Sequence, residues 1–138
     1  MTYALDTNTI IHYLRGNKNV HTNFDVAIES DNEIIVPRAV DYELERGFAV
    51  TPAPKKQAMY NVLTDKNGNC NIADMDENFW DEAKQIYADL RHKSYTIGEM
   101  DILIAAFCLC NGYTLVTNNT KDFKKINGLT ITDWTEER

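Results

Sequence analysis

The chain is short of basic residues, of cysteine and of any long apolar run, and each shortage closes off a class of function. Lys and Arg number 14 against 21 Asp and Glu in 138 residues, a formal net charge of −7. A general nucleic-acid binder carries a basic footprint, which this balance lacks. Two routes to a nucleic acid stay open: acids gathered in a metal site, where the ion reverses the local field, or a basic partner that covers them. The three cysteines, Cys70, Cys108 and Cys110, fit neither a disulfide framework nor a zinc spacing, and all three are expected as buried, reduced thiols. No apolar stretch approaches the roughly 20 residues of a membrane-spanning helix. The N-terminus has neither the basic region nor the long apolar core of a signal peptide. No repeat, low-complexity tract or linker interrupts the chain. The expectation is a single domain over 1–138, intracellular and cytoplasmic, with no membrane contact.

What is present is an alternation of two periods. Tyr3-Ala4-Leu5 is an apolar run of the kind a buried strand uses; Asp6 follows at once, and Ile10, Ile11 and Leu14 then fall at helical spacing. Val20, Phe24, Ala27 and Ile28 predict a second helix over about 18–30, Glu33–Val36 a second strand, and Pro37 the start of a third helix to about 49. A fourth helix is predicted over about 55–65, on which Ala58, Tyr60, Val62 and Leu63 lie, then a turn at Lys66–Asn69 and a weak strand over 70–73. Asp76 is expected to cap a long helix to about 92, with Phe79, Ala83, Ile86, Tyr87 and Leu90 as its buried stripe. A very apolar helix over about 99–110 ends at Asn111-Gly112. A strand over Thr114–Thr117, a loop with a short helical turn, and a last strand over Leu129–Thr132 complete the chain. This alternation predicts an α/β sandwich with a central, mainly parallel sheet of four to five strands and helices on both faces.

Most of the acids have ordinary places. Asp74, Asp76, Glu77, Asp81 and Glu82 begin or flank a helix, where negative charge suits the macrodipole, and Glu136 and Glu137 form a solvated tail. Four do not. Asp6 follows a buried strand, at the end where parallel sheets open their ligand crevice; a helix N-cap is its structural alternative. Glu43 lies one helical step from Val40 and from Gly47, which with Leu44 mark the inward face of the third helix; taken alone it reads better as a boundary residue that reaches outward to solvent. Asp101 is the only charge in Met100–Cys110, and its i+3, i+4 and i+7 neighbours are Ile104, Ala105 and Cys108. An ionised carboxylate removed from water costs several kcal/mol unless it is paired or binds a metal. Asp122 follows the strand over Thr114–Thr117. Two bare carboxylates about 4 Å apart repel by about 4 kcal/mol at an effective dielectric near 20. With no Lys or Arg reserved for them, these acids call for a hard divalent cation, Mg²⁺ or Mn²⁺, and such a site suits metal-assisted phosphoryl chemistry.

Leu5-Asp6-Thr7-Asn8, Glu43-Leu44 with Gly47, Gly98-Glu-Met-Asp101-x-x-Ile-Ala-Ala106 and Thr117-Asn-Asn-Thr-Lys-Asp-Phe123 occur in that order. Together with the ending Gly128–Trp134, they resemble PIN-domain ribonucleases over essentially the whole chain. Within that family, the chain resembles the VapC toxins of type II toxin–antitoxin pairs. The resemblance implies a PIN-like fold and a Mg²⁺- or Mn²⁺-dependent endoribonuclease that cuts structured RNA, tRNA or rRNA. It also implies a homodimer, held in check by a small VapB-like antitoxin. Carried over by position, Asp6, Glu43 and Asp101 are catalytic acids and metal ligands. Thr7, Asn8, Thr117 and Asn119 support them. Many relatives place the fourth acid where Asn119 stands; Asp122 is the substitute here, with Glu99 the alternative. Arg38, Arg46, Lys55 and Lys56, beside Glu43, are the expected RNA contacts. Tyr42 and Phe48 could stack a base, although core packing is the expectation for both.

Two other readings compete. A haloacid-dehalogenase-type phosphatase also sets Asp after its first strand, but Asp6-Thr7-Asn8-Thr9 has Asn where the general acid belongs. A PIN domain retained only for binding, as an autorepression subunit with its antitoxin, has no need of Asp6, Glu43 and Asp101 together.

Overall fold

Strand β1 (Thr2–Leu5) is the axis of the molecule, and the chain returns to it late. A computed structural model describes residues 1–76 and 78–137, so Glu77, counted above among the acids at a helix start, lies outside it. After β1 come α1 (Thr7–Leu14), α2 (Lys18–Glu29), β2 (Glu33–Pro37), α3 (Arg38–Val50), α4 (Pro54–Thr64) and β3 (Asn71–Ala73). Then follow α5 (Phe79–His92), α6 (Glu99–Asn111), β4 (Thr114–Val116), α7 (Thr120–Phe123) and β5 (Ile131–Thr132). The five strands form one sheet in the order β3-β2-β1-β4-β5, every pair parallel. Five strands, all parallel, thus stand where four to five, mainly parallel, were expected.

Burial along the strands shows why both faces must be covered. Successive strand residues point to opposite faces, yet Ile34, Ile35 and Val36 are all buried, as are Leu115 and Val116. Ile10, Val20 and Phe24 come from the N-terminal helices, and Ile104, Ala105 and Cys108 from α6, into the same core. From β2 the chain steps outward to β3, then crosses back over β1 to β4. Order reverses between β1 and β4, and a parallel sheet opens its crevice at such a switch point, beyond the carboxyl ends of the strands.

Several boundaries and faces differ from expectation for local reasons. Asp76 does not cap α5: its carboxylate accepts the N–H of Asn78 at 3.1 Å, and the helix begins at Phe79. Tyr87 leaves the buried stripe of α5 and is exposed, whereas Phe79, Ala83, Ile86 and Leu90 are buried as predicted. Cys70 and Cys108 are buried thiols pushed up to about 12 by desolvation, but Cys110 is exposed. Tyr42 is 54% exposed and so is not a core residue, while Phe48 packs beside buried Tyr60 at 6.4 Å between ring centres.

Candidate active site

The acid pocket is built outward from Asp6. Its backbone N–H donates to Val116 O at 3.1 Å, so the residue just past β1 is tied to the end of β4. Its carboxylate caps α1 by accepting Thr9 N–H at 2.8 Å, and Thr9 Oγ1 donates to Val116 O at 3.0 Å. Both earlier readings of Asp6 therefore hold together: it is a helix cap and it faces the switch-point crevice. Thr117, fully buried, accepts Asn119 N–H on its Oγ1 at 3.0 Å and gives its hydroxyl hydrogen bond to Asp6. Burial raises the Asp6 carboxyl above the usual range; the bonds from Thr117 and Thr9 work against that rise, and the Glu43 charge adds to it.

Glu43 arrives from α3. Its Oε1 accepts the Thr7 hydroxyl at 2.8 Å, linking it to the residue after Asp6, and its Oε2 lies 3.7 Å from Arg46 Nη2. Gly47, one turn further on, is not the inward packing position expected: it is exposed, and a Cβ added there would meet nothing within 4 Å. It lines an open groove of about 280 Å³ that begins at Thr7 and Glu43 and passes Arg15 and Lys56. Asp122, on α7, accepts Asn119 Nδ2 at 3.2 Å. Asn119, at the position where the resemblance implies an acid, is thus bonded to Asp122 instead.

Asp101 joins these three electrically. It sits in the first turn of α6, with Ile104, Ala105 and Cys108 buried on its face. Its carboxyl is pushed up to about 6 by burial first, then by the charges of Glu43, Asp6 and Asp122. Glu99 is absent from that field: it is exposed and lies with Trp80, Lys84 and Tyr87 on another surface. Of the two candidates for the fourth acid, Asp122 is the one whose charge acts on Asp101. Cations do reach the rim, contrary to expectation: Arg46 meets Glu43, and Lys125 lies 3.9 Å from Asp122. Neither contributes to the balance at Asp6 or Asp101. Among the described residues, the two innermost acids have no counter-charge.

The donor chemistry fits a hard divalent cation, because the side chains that make up the pocket offer carboxylate and hydroxyl oxygens. Among the described residues, no three acidic, His or Cys side chains are already drawn together tightly enough to grip an ion. The acids sense one another through space without meeting at one point.

The other expected residues are placed variously. Asn8 is exposed beside the pocket. Arg38 is engaged elsewhere, at 2.8 Å from Asp74 and 3.2 Å from Asp41. Lys55 is exposed on α4, and Lys56 lines the Glu43 groove. Sequence reading missed three neighbours of the pocket. Thr9 could have been found as the third residue after a capping Asp, where the cap bond lands. His12 Nε2, 3.1 Å from Asn118 Nδ2, and Lys125 carry no local signal, since only the fold brings them to the crevice.

Comparison with known proteins is consistent with this geometry. The PIN domain family model matches residues 3–129. The chain is 29% identical over 134 residues to Ribonuclease VapC2 of Rickettsia felis, covering 97% of this chain and 98% of that protein. It is 26% identical over 135 residues to the tRNA(fMet)-specific endonuclease VapC of Salmonella typhimurium, with 97% and 98% covered. Among solved structures it resembles VapBC2 from Rickettsia felis bound to a DNA fragment from its promoter, with a TM-score of 0.89 and 26% identity over 97% of this chain and 99% of that one. DNA-bound VapBC from Salmonella typhimurium gives a TM-score of 0.85 at 26% identity, covering 97% and 98%. PIN-domain ribonucleases generally use divalent metal ions. With the family model spanning nearly its whole length, the chain belongs to the PIN-domain family.

Proposed function

We propose that this protein is a metal-dependent endoribonuclease and the toxin of a toxin–antitoxin pair, acting as a single domain in the cytoplasm. The observation that carries the reading is the placing of Asp6, Glu43, Asp101 and Asp122 around the switch point, with Asp101 pushed up to about 6 by burial first and then by the charges of the other three. Uncompensated negative charge of this kind is stable only with a cation to share it. Mg²⁺ or Mn²⁺ is the ion these oxygen donors suit, and when bound it would supply a water of lowered pKa and neutralise charge on a phosphate.

The protein's own side chains have separable tasks. Asp6, Glu43, Asp101 and Asp122 would hold the ion. Thr7 fixes one oxygen of Glu43, Thr9 and Thr117 fix Asp6, and Asn119 fixes Asp122. Arg46 and Lys56, with Lys55 beside them, line the way in for an RNA backbone. Arg38 is committed to Asp41 and Asp74 and contributes less. Structured RNA, a tRNA or rRNA loop, is the substrate class, supported by the relative named for tRNA(fMet). A small VapB-like antitoxin is the expected partner, supported by the VapBC complexes of the same fold. Exposed Trp80 and Tyr87 beside Leu103 offer an apolar face for a homodimer.

The test is cleavage of total bacterial RNA by the wild type and Asp101→Asn, with Mg²⁺, with Mn²⁺ and with EDTA. Discrete metal-dependent fragments are expected from the wild type, and a loss of at least about a hundredfold from the variant. Equal cutting by the two, or no cutting in any metal, would overturn the reading.

A further inference from the structure

Two cation–tyrosine pairs flank the acid pocket. On one side, the Arg46 guanidinium that approaches Glu43 stands 5.2 Å over the Tyr42 ring. On the other, the Lys125 ammonium that approaches Asp122 stands 4.7 Å from the centre of the Tyr95 ring. Glu43 lies on the helix after β2 and Asp122 on the helix after β4, and these strands are the two neighbours of β1. The pairs therefore stand on opposite sides of Asp6. Arg46 already belongs to the expected RNA path; Tyr95 and Lys125 have no part in it.

Tyr95 is held in place by the end of α5. Ser94 takes a left-handed φ of 62°, a conformation that disfavours residues with a Cβ. Ser94 N–H donates to Arg91 O at 3.0 Å and Tyr95 N–H to Leu90 O at 2.8 Å. This closure fixes the Tyr95 backbone while its ring, outside the hydrophobic core, stays 38% exposed. Lys125 is fixed as well: its N–H donates to Asp122 O at 3.1 Å, and only 27% of its side chain is accessible. Its contact with Asp122 lies at the outer edge of an ion pair, the kind that contributes little and yields readily.

We propose that Tyr95 and Lys125 form a nucleotide subsite, in which an unpaired RNA base stacks on Tyr95 and the adjoining phosphate is bound by Lys125. The ammonium moves from the ring to the phosphate, and the base takes the ring face that it leaves. The inference rests on the ribonuclease reading and deepens it, because it places the strand on the Asp122 side. It also requires the target to be unpaired there, since a base within a duplex has no free face to offer.

The test is binding of short fluorescein-labelled oligoribonucleotides, single-stranded and blunt duplex, to the full chain carrying Asp101→Asn, in EDTA, by anisotropy. In that background, Tyr95→Ala should weaken single-strand binding roughly 5- to 150-fold, the range expected for loss of one stacked base. Tyr95→Phe should restore it, Lys125→Gln should weaken it and flatten its salt dependence, and duplex binding should not change. Undiminished single-strand binding by Tyr95→Ala, equal losses on both RNAs, or no rescue by Phe would overturn the subsite and leave the ribonuclease reading standing. Absence of any RNA binding by the parent protein would overturn both.

Discussion

Asp101 could be picked out as the one charge in an apolar helix, Asp6 by its place at the end of a buried strand, and Glu43 by its spacing from Val40 and Gly47. Asp122 could not be separated from Glu99 on such grounds, as both are acids at ordinary helix starts. Only the fold separates them, by bringing Asp122 within the field of Asp101 and leaving Glu99 on another surface. Asp101 also makes a thermodynamic prediction. Its proton is held more tightly in the fold than in the unfolded chain, so its contribution to stability is full at acid pH. That contribution is lost as pH rises from the ordinary 3.8 towards about 6. The rise corresponds to about 3 kcal/mol at most, and partial solvent access brings it to about 1–2 kcal/mol. Asp101→Asn is thus expected to be more stable than the wild type above about pH 7, with the advantage vanishing near pH 4, in urea titrations across that range. Mg²⁺ should narrow the gap by stabilising the wild type alone. A variant no more stable than the wild type at neutral pH would remove the claim that Asp101 is an uncompensated charge.

Helices and strands were legible wherever one period ran unbroken, as in α6 with its left-handed Gly112 cap. Their ends were less so. Asp76 had the composition of a cap, but its side chain closed a turn on Asn78 instead, which delayed α5 to Phe79. Aromatics were the other weak point, since Tyr42 and Tyr87 satisfy a hydrophobic stripe as readily as Phe79 does, and whether a neighbouring helix covers them is not written locally. The turn after α4 was read from Lys66–Asn69, and its glycine proves necessary. A Cβ on Gly68 would run into the carbonyl oxygens of Val62 and Leu63, the latter bonded to Cys70 N–H at 3.1 Å. Gly68→Ala is expected to cost about 1–3 kcal/mol, seen as a lower urea midpoint with unchanged slope. An unaltered midpoint would mean that the turn gives way cheaply.

Across the whole molecule, the element order, the parallel sheet and the single crevice followed from the alternation of periods. The position of β1 between β2 and β4 did not, because strand order depends on which crossover spans the sheet. The C-terminal segment closes the structure at long range. Trp134, buried, lies edge-on to Tyr3 at 5.2 Å and to Phe24 at 6.2 Å, and Asn23 donates to its carbonyl at 3.1 Å. Trp134→Ala should cost about 3–5 kcal/mol in chemical denaturation. A loss well under 1 kcal/mol would show that the segment is an appendage.

The central place of β1 carries a further consequence for synthesis. Asp6 leaves the ribosome ahead of the other acids, and the strand that anchors its backbone, β4, and the helix that bears Asp122 are translated long after it. At about 5–20 residues per second, several seconds separate the first acid from the last. Throughout that interval the nascent chain lacks the acids that complete the pocket: pairing of β1 with β2 brings Glu43 to Thr7, but Asp101 and Asp122 are still to come. The acid pocket is complete only once β4 and α7 have left the ribosome and closed on Asp6.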